Sequence, residues 1–228
     1  MVRVEGIDVG PVRLSQRVWA CDHPTYPPVV LLPATGNTAA DWDGVAAELS
    51  RDRVVRAIDL RGHGDSDWPG EYSLQLMAAD IVALLQRSNE QPDLVGHSLG
   101  GLVACLTVTA APDGVRRLAL EDVPMPHPRR PVSPPRPPGR LDFDWRIIEQ
   151  VRPEIDNPDS AWAEVIGRIS VPTLVIAGGS RSTIPQQHVA ELVGTLARGQ
   201  LAHVDAGHFV HATKPEEFLK HLTAFLAG

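Results

Sequence analysis

The sequence has little cysteine, and the two it has, Cys21 and Cys105, stand far apart. Two distant cysteines make no disulfide framework, so the fold must rest on its core, and both are expected as reduced thiols in a cytoplasmic protein. No apolar run approaches membrane-spanning length, and the start, "MVRVEGIDVG", lacks the charged-then-apolar pattern of a secretory signal. No internal repeat of solenoid or propeller length is present. Positive charge is also in deficit: 21 Lys and Arg stand against 28 Asp and Glu, a formal charge of −7. That deficit argues against nucleic acid or an anionic membrane as the main partner. What remains is 228 residues, 43% hydrophobic and 21% charged. Such a chain can bury a core without staples, and one domain over 1–228 is expected, acting on a small molecule, with the oligomeric state open.

"VRVEGIDVGPVRLSQRVWA" alternates around Gly10-Pro11 and reads as a β-hairpin. "PPVVLLPA" is a short, wholly apolar run, as in a parallel strand covered on both faces. Thr38 to Asp41 fits a capping box for a helix burying Trp42, Val45, Ala46 and Leu49. "RVVRAIDL", "PDLVGHS", "VRRLALED", "VPTLVIAGG" and "GQLAHVDAG" read as further strands, alternating with amphipathic segments. Thr213, Pro215 and Glu216 mark the start of the last helix. This alternation predicts an α/β fold: a mostly parallel sheet with helices on both faces. One stretch breaks it. "PMPHPRRPVSPPRPPGRLDFDW" is dense in proline and cannot join a sheet ladder, and a weakly helical segment follows. Residues 124–168 are therefore expected to form a small cap or lid inserted between two core strands.

Gly96-His97-Ser98-Leu99-Gly100 is G-x-S-x-G between a strand and a helix. A serine nucleophile on so tight a turn is pushed out of the sheet, and small residues two before and two after let the chain pass close to itself. Among nine histidines, His208 in "DAGHF" follows the last strand, at the carboxyl end of the sheet that also carries Ser98. It is the candidate base. His97 adjoins Ser98 but should point away from it, and His63 suits a local backbone role. His203, His208 and His211 raise a metal reading, but they lack the H-E-x-x-H helical pairing, so no metal and no cofactor are expected.

"DLRGHGDSD", "GHSLGG" and "DAGHFVHATKPEEF" together resemble the α/β-hydrolase family along nearly the whole chain. The resemblance selects the same His208 and implies a cap after the strand ending at Asp122. An oxyanion hole is expected from the N–H of Leu99 and, by alignment on the strand before "PATGNT", that of Thr35. Family members usually carry His-Gly in that loop, where this chain has Pro33-Ala34. The family most often keeps its acid in the loop that here reads "GGSRSTIPQQ", which holds no carboxylate. Certain haloalkane dehalogenases and luciferase-type members place it at the strand end corresponding to Glu121-Asp122. A gapless match favours Asp122, anchoring on Met125-Pro126 favours Glu121, and Asp205 is a weaker candidate. Neighbouring strand residues face opposite ways, so only one of Glu121 and Asp122 should reach His208. Trp145 and Trp162 in the cap either anchor the lid or line an acyl pocket. The implied activity is that of a serine hydrolase of carboxylesterase type. Hydrolysis of C–C bonds, lactones or thioesters is the enzymatic alternative, and a ligand-binding protein of low turnover is the non-enzymatic one.

Overall fold

The computed structural model describes residues 2–88 and 90–228. Strands β1 (Val2–Asp8) and β2 (Arg13–Trp19) form the expected antiparallel hairpin, with Gly10 at φ 110° in the turn, where a side chain would be strained. Strands β3 (Val29–Leu32), β4 (Val55–Ile58), β5 (Asp93–His97), β6 (Arg117–Glu121), β7 (Thr173–Ala177) and β8 (Gly199–His203) complete one sheet. Its order is β1-β2-β4-β3-β5-β6-β7-β8, antiparallel as far as the β2–β4 pair and parallel thereafter.

The parallel strands read as continuous apolar runs because both of their faces are covered. Val30, Leu32, Leu94, Leu118, Leu120 and Val175 belong to one core, under α2 (Leu74–Leu85), α3 (Leu99–Ala110) and α6 (Gln186–Thr195). Their neighbours Val29, Leu31, Val95, Ala119, Leu174 and Ile176 belong to the other core, under α1 (Asp43–Leu49) and, after the four-residue α7 (Val210–Thr213), α8 (Pro215–Ala227). Strand parity thus decides which layer a residue enters.

Two expected caps form differently. The Thr38 side chain caps nothing: Ala39–Trp42 is a 3-10 turn ahead of α1, and the Ala39 N–H donates to Asp59 Oδ1 at 2.6 Å instead. The last helix starts at Pro215 with Lys214 at its N-cap, because Thr213 is taken up by α7.

Residues 124–168 leave the sheet between β6 and β7. The proline-rich part carries no helix, and α4 (Arg146–Asp156) and α5 (Trp162–Gly167) follow it. α4 buries Ile147 and Val151, and polar bonds fasten it to the loop before α2. The Tyr72 N–H donates to Gln150 Oε1 at 2.8 Å, the Tyr72 hydroxyl to Asp144 Oδ2 at 2.8 Å, and the Leu74 N–H to Glu154 Oε2 at 3.1 Å. No helix among the described residues is long and apolar enough to cross a membrane.

Candidate active site

Only two non-glycine residues among those described have positive φ: Ser98 at 51° and Asp122 at 48°. Such backbone costs on the order of 1–3 kcal/mol and persists where its surroundings over-determine it. Ser98 sits between β5 and α3, and its flanking glycines are there for want of space. A Cβ on Gly96 would strike the Gly100 carbonyl, and one on Gly100 would lie 2.5 Å from the Leu32 carbonyl oxygen and 2.6 Å from that of Pro33. The tight turn and the close passage of the loop after β3 therefore both require these small residues.

Asp122 directly follows β6, its N–H still donating to Ile176 O at 2.9 Å. Its Oδ2 lies 2.8 Å from His208 Nδ1. The same carboxylate accepts from the Gly178 N–H at 2.8 Å, from Gln186 Nε2 at 3.1 Å and from the Ser182 hydroxyl. Burial alone would raise the Asp122 pKa, but His208, Ser182, Gln186 and Gly178 together hold it below the usual carboxylate range. An ionised Asp122 only accepts, so Nδ1 of His208 is the donor to it, and in the neutral ring the lone pair falls on Nε2. The loop without a carboxylate thus still serves this site, by supplying the donors that hold Asp122. Ser182 stands, with Ser180 and Arg181, where the family's usual acid would be, whereas Gly178 and Gln186 had no sequence signal of their own. His97 also proves relevant: its Nε2 lies 2.9 Å from the His208 carbonyl oxygen, tying the loop of His208 to the turn at Ser98.

Glu121, the alternative acid, is unavailable to His208. It enters the opposite core layer and meets His211, with Oε1 accepting the His211 N–H at 2.9 Å and Oε2 lying 2.7 Å from Nδ1. The other nitrogen of His211 is 3.3 Å from Asp41 Oδ2, and its ring stacks on Trp42 at 4.3 Å. Burial works against charge on His211, yet the Asp41 and Glu121 carboxylates prevail and push its pKa up to about 9. Asp205 is likewise engaged elsewhere, accepting from the Ser180 hydroxyl at 3.1 Å and the Arg181 N–H at 3.3 Å. His63 is fully buried, with Nε2 accepting from the Gly36 N–H at 3.1 Å, and burial pushes its pKa down to about 4, so it stays neutral.

The trio His203, His208 and His211 does not converge as metal ligands among the described residues. Two other sets bring three possible ligand atoms within 4.8 Å of one another: buried His97, Glu121 and His211, and surface His127, His188 and Glu191. In the first, Glu121 and His211 are already paired with each other, 2.7 Å apart.

Ser98 and His208 open into one cavity of about 400 Å³. Leu99 and Thr35 line it too, and among the described residues neither of their N–H groups donates within the protein. Thr35 is left free because the turn around it is fixed on both sides: the Asn37 N–H donates to Ala34 O, and the Gly36 N–H to His63. Trp145 and Trp162 do not line this cavity. Trp162 is buried in the core layer of α3, and Trp145, before the first turn of α4, packs near Phe143. The helical period of α4 instead presents Ile147, Ile148, Val151, Arg152 and Ile155.

The profile described as "Alpha/beta hydrolase family" matches residues 29–221. Among curated proteins, the sn-1-specific diacylglycerol lipase ABHD11 of Mus musculus is 26% identical over 98% of this chain and 88% of its own. Among solved structures, the N-formylmaleamic acid deformylase of Pseudomonas putida S16 superimposes with a TM-score of 0.83 at 20% identity, covering 97% of this chain and all of that one. The enol-lactonase of Burkholderia xenovorans LB400 gives a TM-score of 0.77 at 19% identity, covering 98% of this chain and all of that one. At these identities the two structures speak to fold alone.

Proposed function

The chain belongs to the α/β-hydrolase family, and from that premise we propose that it is a serine esterase whose catalytic residues are Ser98, His208 and Asp122. The observation that carries this reading is the 2.8 Å contact between His208 Nδ1 and Asp122, in a cavity that Ser98 also lines. The mouse relative named as a lipase supports an ester as substrate.

In the proposed cycle, Ser98 Oγ attacks the carbonyl carbon while His208 Nε2 takes its proton. The resulting oxyanion accepts hydrogen bonds from the Leu99 and Thr35 N–H groups, at the positive end of α3. Collapse expels the alcohol, which receives the proton from His208 and leaves an acyl-Ser98. A water then gives its proton to His208 and attacks the acyl carbon, releasing the acid and restoring Ser98. Asp122 holds the imidazole tautomer and offsets the charge on the imidazolium. Thioesters and lactones pass through the same intermediate and belong in the substrate panel.

The test is a series of p-nitrophenyl esters of graded acyl length, run with fluorophosphonate labelling on wild type and Ser98→Ala. Wild type is expected to label at Ser98, and Ser98→Ala to lose label and at least about 10⁴-fold in kcat. Unlabelled wild type, or Ser98→Ala with normal turnover, would refute the assignment.

A further inference from the structure

The cavity wall has a charge pattern unlike the rest of the molecule. The chain carries −7 overall, yet none of the residues lining this cavity is acidic, and two are arginines, Arg129 and Arg152. Both come from the cap, whereas Ser98 and His208 come from the sheet. Leu102, Ile147, Val151 and Ile184 give the same cavity an apolar wall.

The two arginines share one counter-ion. Arg129 Nε donates to Asp156 Oδ1 at 2.6 Å and Arg152 Nε to the same oxygen at 2.9 Å, while Oδ2 accepts the Val132 N–H at 3.0 Å. Asp156 is buried, its side chain 2% exposed, and these three bonds fix it in place. Among the described residues no Nη atom of either arginine donates a hydrogen bond to the protein, and the two side chains are 42% and 32% exposed. Two guanidiniums against one carboxylate leave a surplus of one positive charge, held in place by a buried anchor. Their free edges are the part of the guanidinium fork that pairs with planar oxyanions.

We propose that Arg129 and Arg152 form an anion subsite, and that the substrate is an ester whose far end carries a carboxylate. This rests on the serine esterase reading for its chemistry, but the binding it claims stands apart from turnover. A single surplus charge matches a carboxylate monoanion better than a phosphate dianion. The ester carbonyl then lies at Ser98, an apolar chain lies along the wall, and the carboxylate meets the Nη groups. The alternative, in which the Arg–Asp–Arg cluster only ties the proline-rich segment to α4, predicts no charge preference.

The experiment compares mono-p-nitrophenyl glutarate, adipate and pimelate with the length-matched neutral pentanoate, hexanoate and heptanoate esters. Wild type should favour the anionic member of at least one pair by tenfold or more in kcat/KM, and added NaCl should weaken the preference. Arg129→Gln and Arg152→Gln should each lower that ratio at least fivefold. Should either fail to fold, Arg129→Lys and Arg152→Lys keep the charge facing Asp156 while removing the fork, and should lower the ratio too. Equal use of both esters, or a preference that survives both arginine changes, overturns the subsite. Calorimetric titration of Ser98→Ala protein with monomethyl adipate and methyl valerate supplies a readout without chemistry. Binding of the anion at least tenfold tighter supports the subsite, and equal binding overturns it. If no ester is cleaved above the Ser98→Ala background, the esterase reading fails while the titration still decides the subsite.

Discussion

Glu121 and Asp122 are chemical near-twins on consecutive residues, and each is paired with a histidine, His211 and His208, three residues apart in the chain. Glu121 ends β6 and turns into one layer, Asp122 follows it at the carboxyl end of the sheet, and the two pairs differ in what surrounds them. Glu121 and His211 are sealed in the layer of α1 and α8, with side chains 0% and 2% exposed. Asp122 is equally buried, but the side chain of His208 is 20% exposed and reaches the cavity. In the sealed pair both nitrogens of His211 are faced by carboxylates, so the ring holds its proton. In the open pair Asp122 engages only Nδ1, and Nε2 meets no carboxylate, as the proposed base requires. A carboxylate–histidine contact is therefore not in itself catalytic; the environment of the second nitrogen decides.

The hardest blow to this comparison is Asp122→Asn. The amide cannot offset an imidazolium and admits the wrong tautomer, so kcat should fall by about 10³–10⁴-fold while the protein, with a lowered thermal midpoint, stays folded at the assay temperature. Steady-state kinetics on the best ester, with a melting curve, checks this. Near-normal turnover would mean that His208 works without Asp122.

Next in size is Glu121→Gln, with its effect on stability rather than rate. Removing one partner of a buried ion pair costs about 3 kcal/mol. The sign of the pH dependence follows from His211, whose folded pKa of about 9 lies above its ordinary value of 6.5. Its contribution is fully present below pH 6.5 and is lost as pH rises through about 9, with a limiting slope of about 1.4 kcal/mol per pH unit. Urea unfolding of wild type at pH 6, 7.5 and 9 should show that loss, and Glu121→Gln should flatten it. If Glu121→Gln instead loses turnover as Asp122→Asn does, the division of labour between the two acids is wrong.

How much of this could be read beforehand depended on whether one segment sufficed. Gly96 to Gly100 announces its strand–turn–helix because the steric demand is local. His208 was legible from its place after the last strand. Strand parity predicted that only one of Glu121 and Asp122 could face His208, but not which one. That choice needs to know that α1 and α8 cover one layer and α2, α3 and α6 the other. Trp145 and Trp162 were attractive as large apolar groups, yet α4 presents its isoleucines and Arg152 to the cavity; α4 is amphipathic, but that its apolar face covers Ser98 is a contact distant in sequence. Thr38 satisfied a capping pattern and lost to Asp59, a partner from a distant loop. In each case a contact distant in sequence outweighed a local rule.

The smallest effect, and the finest probe of the open pair, concerns Ser182. Its hydroxyl donates to Asp122 Oδ2, the oxygen that also faces His208 Nδ1, while Oγ itself accepts the Ile184 N–H at 2.9 Å. Ser182→Ala leaves Asp122 its bonds from Gly178 and Gln186, both on Oδ1, so the carboxylate stays ionised, but Oδ2 is then held by His208 alone. A hydrogen bond to a charged group is worth about 1.5–3 kcal/mol, and the loss falls on Asp122 rather than on the reacting atoms, so kcat should fall roughly tenfold, far less than for Asp122→Asn. KM should be unchanged, since Ser182 does not line the cavity. Ser182→Thr, which keeps the hydroxyl, should restore most of kcat. A Thr variant as slow as Ala would trace the effect to packing in the loop rather than to the hydrogen bond. Wild-type kcat in Ser182→Ala would mean that the two Oδ1 bonds alone hold Asp122, and that the loop after β7 serves the site through Gly178 and Gln186.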